Sequence, residues 1–340
     1  MKTIRPIPTL EDVAEMAAVS TATVSRSLNS PERVGEKTRK RVMEAVEKLG
    51  YTPNFAAQVM AAKRSFTIGA VLPTMENAIF ARGMQAFQEE LYHRGYVLLV
   101  SSFLYDPDIE EDQIRTMVAR GADGLLLIGH DRDPSIYKYL QNHNVPTLVS
   151  WMYNEAEPHP SVGFDNRKSM ANLVAEVIAK GHRKLAAIVG NKQHNDRVRQ
   201  RILGMKDSLR AHGLDTSSLE IVETPNDIES GGDSFEALMS KSHQPTAIIC
   251  GNDVLAVGAM RRARQLNIDV PGDVSVTGFD DIELAKIVDP PLTTVHVPHQ
   301  EMGRRAAGEL ISLIKGETDA VAVNLKTTVK IRASLGSPKS

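Results

Sequence analysis

The sequence contains very little cysteine and few aromatic residues. Its 340 residues include one cysteine, Cys250, and 5% aromatic residues. A single cysteine excludes an internal disulfide framework and any Cys-x-x-Cys metal or redox site. No apolar run approaches the roughly 18 residues of a membrane-spanning helix. The start is broken by Pro6 and Pro8 and never builds the apolar core of a signal peptide. We therefore expect a reduced, cytoplasmic protein without a membrane partner.

Charge is distributed unevenly along the chain. The formal net charge is −2, yet residues 1–65 hold 11 Lys/Arg against 7 Asp/Glu, and the remainder holds 29 against 35. A small basic head on an acidic body indicates that only the head binds a polyanion. The length predicts about two domains, and 42% hydrophobic with 24% charged residues is typical of a globular protein.

The first 50 residues predict three short helices. Thr9 and Ser20 are suited to cap the first two, and the third runs from about Glu36 to a stop at Gly50. A tight turn of small residues separates the first two helices. This pattern is typical of a helix-turn-helix unit, whose second helix enters the DNA major groove by its N-terminal end.

The second helix carries side chains suited to DNA. Arg26 can pair with a guanine edge, and the small Thr21 and Ala22 can approach a thymine methyl group. Polar side chains nearby suit phosphate contacts, which position a helix without reading sequence. The candidate DNA contacts of the head are Thr9, Ser20, Thr21, Ala22, Thr23, Ser25, Arg26 and Asn29. A three-helix cap without a ligand is the alternative.

Four motifs of the head strengthen this interpretation. They are Thr9–Ala14, Val19–Arg26, Val34–Arg39 and Leu49–Asn54. In this order they resemble the head of the lac/gal repressor family of bacterial transcriptional regulators. Gly35 departs from the pattern, since the family usually has serine there. The resemblance implies a DNA-binding head over 1–53, a hinge helix or linker over 54–64 and an effector-binding and dimerisation domain over 65–340.

The hinge segment has good helix formers but spans only about two turns, too few to be helical alone. The resemblance implies that it orders on DNA, with Ala57 and Met60 as contacts. Met60 stands where the family typically has leucine, and an apolar wedge between base steps kinks the minor groove. An ordinary interdomain linker is the alternative.

From Phe66 onward, apolar strands alternate with helical stretches. Buried strands that alternate with helices predict parallel sheets covered on both faces. The predicted strands are Thr67–Leu72, Tyr96–Ser101, Gly124–Ile128, Val145–Trp151, Leu185–Val189, Ala247–Cys250 and Val274–Gly278. We expect a small all-α helix-turn-helix head followed by an α/β body of two doubly wound lobes.

The body resembles the periplasmic sugar-binding proteins that form the effector domain of the same family. The motifs that carry the resemblance include Val162–Asn166, Gly181–Lys184, Arg201–Gly204, Gly251–Ala256, Gly278–Asp281, Pro290–Val295 and Arg332–Ser334. The resemblance implies a lobe one at about 65–164 and 296–323, and a lobe two at about 165–295 and 324–340. Ligands of such sheets bind at the carboxyl ends of the strands.

The sequence favours no enzyme and no cofactor. It contains no GxxxxGK[ST], HExxH, GxSxG or GxGxxG motif. His130–Asp133 could imitate a metal site, but a solvated loop is the expectation for such a charge cluster. Asp280 and Asp281 could imitate a catalytic acid pair, but adjacent side chains tend to point apart, so Asp280 is expected to accept a bond from a ligand hydroxyl.

Matching positions of the family imply an effector pocket between the lobes. Its candidate residues are Asn77, Phe80, Trp151, Phe164, Arg197, Arg201, Asn252 and Asp280. Phe164 is expected to pack on a sugar face, and the polar residues to hold hydroxyls. Structural roles are the alternatives: Arg201 could pair with surface acids, and Asn252 could cap the helix that follows it.

Two departures from the family point to an anionic effector. Trp151 stands where many members have an aspartate, and Arg197 lies one helical turn before Arg201. Because an acid is lost and a base is gained, we expect a more positive cleft. The sequence also resembles the branch that responds to gluconate and related sugar acids. We therefore expect a homodimer that binds operator DNA and is controlled by a sugar acid such as gluconate or a ketogluconate. A regulator of a neutral sugar and a sugar-binding or transport-type protein without a DNA function are the alternatives.

Overall fold

The computed structural model describes residues 8–52, 64–76, 78–317 and 322–339. Contacts divide the chain into two units, Met1–Ser65 and Phe66–Ser340. The predicted contacts Ala57, Met60 and Asn77 lie outside the described residues. Within the described ranges, no helix is long and apolar enough to cross a membrane.

The head consists of three α-helices around a small core. They are α1 (Leu10–Met16), α2 (Thr21–Asn29) and α3 (Glu36–Leu49), in the predicted order. Thr9 begins α1 with a capping box, because its hydroxyl accepts the N–H of Asp12 at 3.3 Å while the Asp12 carboxylate accepts the N–H of Thr9 at 2.7 Å. Gly50 ends α3 at φ +64°, a left-handed conformation that suits glycine.

Side chains from all three head helices close its core. The buried members are Val13, Ala14, Ala17, Val24, Val42 and Ala45. Val24 is fully buried and Leu28 packs against the same cluster, as the pattern of α2 predicts. Because these residues occupy one side of α2, Thr21, Ala22 and Arg26 are left exposed on the other side.

The second unit alternates strands and helices. Its strands are β1 (Thr67–Leu72), β2 (Val97–Ser102), β3 (Gly124–Ile128), β4 (Thr147–Ser150), β5 (Ser161–Gly163), β6 (Leu185–Val189), β7 (Glu220–Glu223), β8 (Ala247–Cys250), β9 (Ser275–Thr277), β10 (Thr294–His296), β11 (Ala322–Asn324) and β12 (Thr328–Lys330). Its helices are α4 (Ala78–His93), α5 (Pro107–Ala119), α6 (Pro134–Asn142), α7 (Asn166–Ala179), α8 (Asp196–Ala211), α9 (Ile228–Met239), α10 (Asp253–Gln265), α11 (Leu284–Ile287) and α12 (His299–Lys315).

Two parallel sheets define the two lobes of this unit. Lobe one holds a six-stranded sheet in the order β11-β5-β4-β3-β1-β2, and lobe two holds a four-stranded sheet in the order β7-β6-β8-β9. A small antiparallel pair, β10 with β12, forms a third sheet. The chain therefore crosses between lobes after β5, after β10 and again after β11. The predicted two-lobed α/β architecture is confirmed.

Burial follows the predicted strand pattern. Every residue of β1, β3, β6 and β8 is buried, as expected for central strands covered on both faces. The edge strand β2 differs, because Val97, Leu99 and Val100 remain exposed. The strands that the pattern did not predict are the short ones: β5, β7, β10, β11 and β12, each of three or four residues.

Candidate functional site

The second head helix, α2, presents a polar outer face. Thr21, Ala22 and Arg26 are exposed, and Thr23 and Ser25 are half-buried. The side chain of Asn29 lies outside the described residues. A guanidinium and small side chains thus share the surface opposite the core, which is the arrangement that base-edge contacts require.

Local hydrogen bonds hold the start of α2. The Ser20 hydroxyl accepts the N–H of Thr23 at 3.2 Å and also lies 2.9 Å from the Thr23 hydroxyl. Ser27, which sequence analysis did not select, is buried and donates its hydroxyl to the Thr23 carbonyl at 2.8 Å. Ser20 is therefore the helix cap that the sequence predicts.

The second unit encloses a small polar cavity between its lobes. Its volume is about 40 Å³, enough for a few water molecules. The lining residues are Ile79, Phe80, Tyr105, Trp151, Gly190, Asn195, Arg197, Val198, Arg201, Asn226, Gly251, Asn252 and Asp280. Six of the predicted pocket residues are among them. Phe164 is not: it is fully buried and stacks on Phe279 at 6.0 Å, so the structure gives it a core position instead of a cavity wall.

Arg201 is the most extensively bonded side chain of this cavity. Its Nε donates to Asn166 Oδ1 at 2.9 Å, and one terminal nitrogen donates to the Gly251 carbonyl at 2.6 Å. The other terminal nitrogen lies 3.4 Å from Asp280 Oδ1. The guanidinium carbon also lies 3.7 Å from the ring centre of Phe279. Arg201 therefore pairs with a buried acid. The alternative, in which Arg201 pairs with acids on the surface, is wrong.

Two polar atoms at the cavity have no hydrogen-bond partner in the described part of the chain. They are Asp280 Oδ2 and Trp151 Nε1. Both residues have positive φ, +107° for Asp280 and +61° for Trp151, a backbone conformation that residues other than glycine rarely adopt. Burial raises the pKa of Asp280 to about 6, against the opposing effect of Arg201. One acceptor and one donor are thus left for a bound molecule.

The charge around the cavity differs from the predicted excess of positive charge. Arg197 is 3.0 Å from Asp196 and donates to the Ile128 carbonyl at 3.1 Å, so its charge is balanced by a neighbouring acid. Arg201 is balanced in the same way by Asp280. The two arginines reach the cavity together, as their spacing predicts, but each brings a carboxylate with it.

A second, wider cavity of about 800 Å³ forms the mouth of the cleft. Its described lining residues are Thr74, Glu76, Leu104, Tyr105, Asn191, Glu223, Thr224, Pro225, Asn226, Asp227, Ile228, Glu229 and Val254. This lining includes four acids and, among the residues that the structure describes, no lysine or arginine. Two of these acids are balanced by cations that lie outside the lining, because Glu223 pairs with Lys192 and Glu229 with Arg261.

Tyr105 and Asn226 border both cavities, and sequence analysis missed them. The Tyr105 hydroxyl bonds to Asn226, and burial raises the pKa of Tyr105. Asn226 Oδ1 accepts from Asn252 Nδ2 at 2.7 Å, while Asn252 Oδ1 accepts the Leu255 N–H at 2.9 Å and caps α10. Asn252 thus lines the cavity and also caps the helix. Asn226 follows β7, a strand that the sequence pattern did not reveal.

The adjacent acids Asp280 and Asp281 point to different places, as predicted. Asp281 bonds to Arg332 at 2.6 Å and to the His296 ring at 2.9 Å. These bonds hold the pKa of Asp281 below its ordinary value, although burial opposes them. Only Asp280 lines the cavity. The two carboxylates therefore do not form a catalytic pair.

The segment His130–Asp133 is not the solvated loop that its charges predict. His130 is 9% exposed, and the Arg132 side chain is 1% exposed and lies 2.8 Å from Glu110. Burial lowers the pKa of His130 to about 4, so its ring is neutral near pH 7. Only Asp133 behaves as expected, because it is exposed and caps α6. Within the described ranges, no cluster of three or more His, Cys, Asp or Glu side chains is placed to hold a metal.

Two family models match the chain. Residues 9–54 match the bacterial regulatory proteins of the lacI family, and residues 174–335 match a periplasmic binding protein-like domain. The first match covers the helix-turn-helix head, and the second covers most of lobe two. A ligand-binding protein without a DNA function is therefore set aside.

Whole-chain relatives agree with the two models. The transcriptional repressor PurR of Aliivibrio salmonicida is 32% identical over 308 residues, 90% of this chain and 92% of PurR. The transcriptional regulator GntR of Escherichia coli is 29% identical, over 94% of this chain and 95% of GntR. The Lac repressor dimer, solved with operator and an anti-inducer, superposes with a TM-score of 0.87 at 26% identity, over 98% of this chain and 100% of that one. These relatives are regulators and not enzymes. The chain belongs to the lacI family of bacterial regulatory proteins and is a DNA-binding transcriptional regulator.

Proposed function

We propose that the protein is a cytoplasmic, homodimeric repressor whose operator affinity is set by a small polyhydroxylated effector bound between its lobes. The observation that carries the effector is a pair of atoms at the inner cavity, Asp280 Oδ2 and Trp151 Nε1, that have no hydrogen-bond partner among the described residues. A hydroxyl group both donates and accepts hydrogen bonds, so adjacent hydroxyls complement this pair. The relative PurR is a transcriptional repressor, which supports repression as the action of this protein on its operator.

The charge distribution favours a neutral sugar over a sugar acid. The sugar acid that the sequence predicts, gluconate or a ketogluconate, needs an unbalanced cation. Arg197 and Arg201 each carry a carboxylate partner instead. At the outer cavity Glu223 and Glu229 are paired with Lys192 and Arg261, and the remaining acids, Glu76 and Asp227, disfavour an anion on its way in. We therefore propose a neutral polyol or sugar as the effector, with the sugar acid as the competing outcome of the test.

An exposed apolar surface on lobe one supports the homodimer. Tyr92 on α4 is 78% exposed, and on the edge strand β2 the exposed fractions of Val97, Leu99 and Val100 are 63%, 39% and 41%. Clustered apolar side chains at an open sheet edge indicate an interface. Two-fold pairing of the heads would match a near-palindromic operator.

Coupling between effector and operator is proposed to pass through the hinge at 54–64. A segment of about two turns persists as a helix only when it is paired on DNA, so a modest change in lobe packing can bias it. We propose that the effector releases the operator. By linkage, operator DNA then weakens effector binding by the same factor.

A thermal-shift screen followed by DNA binding tests the proposal. Neutral hexoses, pentoses and polyols are compared with gluconate and 2-ketogluconate, because a ligand of the native state raises its melting temperature. Fluorescence anisotropy with a selected operator then measures DNA affinity with and without each hit. A stabilising neutral sugar that lowers operator affinity supports the proposal. A sugar acid that binds far more tightly than every neutral compound would reverse the charge argument, and a ligand that tightens operator binding would reverse the direction of control.

A further inference from the structure

Asn166 is a buried amide at the point where the chain crosses from lobe one to lobe two. It follows β5, is the first residue of α7 and is fully buried. Its side chain offers two N–H donors and a carbonyl acceptor, and buried polar groups of this kind need partners. The motif Val162–Asn166 contains this residue, but the sequence alone assigns it no role.

The two ends of the Asn166 amide bond to different walls of the inner cavity. Its Nδ2 donates to the Trp151 carbonyl at 3.0 Å, and its Oδ1 accepts from Arg201 Nε at 2.9 Å. Trp151 follows β4 of lobe one, Arg201 lies on α8 of lobe two, and both line the cavity. Asn166 itself is absent from the described lining. One side chain behind the cavity therefore holds the backbone of one wall and the guanidinium of the other.

The backbone at Trp151 depends on support from its surroundings. Its φ of +61° is left-handed, a conformation that costs free energy for a residue other than glycine. Asn166 Nδ2 also lies 3.4 Å from the Phe164 carbonyl, so the amide joins the turn after β4 to the segment after β5. A Cβ atom at Gly163 would overlap the Met152 carbonyl and lie 2.6 Å from Met152 N. Because these are backbone atoms, glycine is required for the two segments to approach this closely.

The indole ring of Trp151 is placed by a second set of contacts. It packs edge-on against Phe80, with the ring centres 5.3 Å apart. A Cβ atom at Gly83 of α4 would lie 2.6 Å from the nearest indole carbon, so the ring rests directly on that helix. Helix α4 thus holds the ring, while Asn166 holds the backbone that carries it. The direction of Trp151 Nε1, which has no partner among the described residues, depends on both.

At its other end, Asn166 holds the guanidinium of Arg201 beside Asp280. Arg201 Nε donates to Asn166, and one terminal nitrogen donates to the Gly251 carbonyl at 2.6 Å. These two bonds leave the other terminal nitrogen 3.4 Å from Asp280 Oδ1. An amide serves both Trp151 and Arg201, whereas a carboxylate lacks the donor and an aliphatic side chain lacks both groups.

We infer that Asn166 is a positioning residue of the effector site, which orients the Trp151 donor and the Arg201–Asp280 pair toward one bound molecule. The inference rests on the proposed function only in that Trp151 and Asp280 contact the effector. Groups of a binding site must be held within about 0.5 Å of their working geometry by bonds to their surroundings. Loss of the Asn166 amide therefore lowers effector affinity, although the amide does not contact the effector.

Intrinsic fluorescence of the full-length protein tests the Trp151 end, because Trp151 is the only tryptophan of the chain. Asn166→Asp keeps the volume and the acceptor but lacks the donor, and Asn166→Leu lacks both. The matched control is Ser169→Ala, on the same helix. The buried Ser169 hydroxyl donates to the Asp165 carbonyl at 2.6 Å and lies 2.7 Å from Thr327 Oγ1. Circular dichroism melting shows which variants are folded at the temperature of the measurement.

We expect both Asn166 variants to shift the emission maximum to longer wavelength and to raise acrylamide quenching about twofold, because the left-handed backbone at Trp151 relaxes once its support is lost. Ser169→Ala should match the wild type. One replacement is charged and the other is apolar, so either variant decides if the other fails to fold. Wild-type emission and quenching in a folded Asn166 variant would overturn the inference.

The effector arm uses any compound that the thermal-shift screen identifies. We expect Asn166→Leu to bind it about tenfold more weakly, and Ser169→Ala to bind it within about twofold of the wild type. Altered fluorescence with wild-type effector affinity would make Asn166 a structural support of Trp151 alone and would overturn the inference. If no compound binds, the proposed effector function fails, while the fluorescence experiment still decides whether Asn166 positions Trp151.

Discussion

The guanidinium of Arg201 lies 3.7 Å from the ring centre of Phe279 while it faces the carboxylate of Asp280, the next residue in the chain. One strand end thus supplies both an aromatic face and an acid to the same cation. Cation–π contact and an ion pair hold the guanidinium in one plane. Phe279 therefore orients the side chain that the family motif places in the cleft.

We expect Arg201→Met to lower the free energy of unfolding by about 3 kcal/mol near pH 7.5, because it leaves Asp280 buried and unpaired. Urea denaturation followed by circular dichroism measures the change. Arg210→Met is the control, since Arg210 forms an exposed ion pair with Asp207 and its loss should alter stability by less than about 1 kcal/mol. Equal losses in the two variants would show that the buried pair contributes nothing particular.

The pKa of Asp280 predicts a pH dependence of stability. Its pKa is raised from 3.8 to about 6, so between these values the folded protein binds more protons than the unfolded chain. Stability from this group is therefore complete at low pH and declines as pH rises toward 6, by roughly 3 kcal/mol at most. Asp280→Asn should remove that decline, seen as the difference between the variant and wild-type unfolding curves from pH 4 to 7.

The exposed Asp215 should give a pH dependence of stability of opposite sign to that of Asp280. Hydrogen bonds from Ser217 lower the pKa of Asp215, so its contribution to stability is present at neutral pH and is lost on acidification. The difference curve for Asp215→Asn should therefore slope the other way from that for Asp280→Asn. Parallel difference curves for the two variants would contradict the assignment of the raised pKa to Asp280.

The head could be predicted almost completely from sequence, and the reason is local. Thr9, Ser20 and Gly50 act through bonds or backbone angles within four residues of themselves. Hydrophobic spacing then selects the buried face of α2. Long-range contacts add little to these choices, so the helix boundaries follow from the chain alone.

The cleft was only partly predictable because its chemistry depends on distant partners. Arg197 lines the cavity together with Arg201, but the neighbouring Asp196 balances its charge, and the same carboxylate accepts the His130 N–H from 66 residues away. Similarly, His130 and Arg132 look like a solvated pair in sequence, but packing against other segments buries both side chains. Net charge at a site is a property of the fold and not of the residues that a motif supplies.

Dimerisation should depend on the apolar edge of lobe one. We expect Leu99→Lys to convert the proposed dimer into a folded monomer at micromolar concentration, because it places a charge in the middle of the exposed strand β2. Multi-angle light scattering measures the mass. Leu203→Lys is the control, since Leu203 is similarly exposed at 37% but lies on α8 of lobe two. A dimer that survives Leu99→Lys would place the interface elsewhere.

The hinge should require an apolar side chain at position 60. We expect Met60→Glu to abolish the specific operator complex, because a carboxylate cannot wedge between base steps and repels the backbone phosphates. Met60→Leu restores the side chain usual in the family and should retain the complex. Fluorescence anisotropy with operator and random duplexes measures whether each variant keeps the specific complex. Retained specific binding by Met60→Glu would show that the segment acts as an ordinary linker.

Base recognition by α2 is expected to depend on Arg26. Its side chain is exposed on the outer face of the helix, where a guanidinium can bond two acceptors of guanine. We expect Arg26→Ala to weaken operator binding by about 1–3 kcal/mol and to relax the preference at one base pair per half-site, while binding to random DNA changes little. Selection of operators from a randomised library identifies the relaxed position.

The comparison variant is Lys37→Ala on α3, for which we expect similar losses on operator and random DNA and a shallower salt dependence, as for a phosphate contact. If Arg26→Ala gave that same uniform loss, Arg26 would be a phosphate contact and another residue of α2 would read the base.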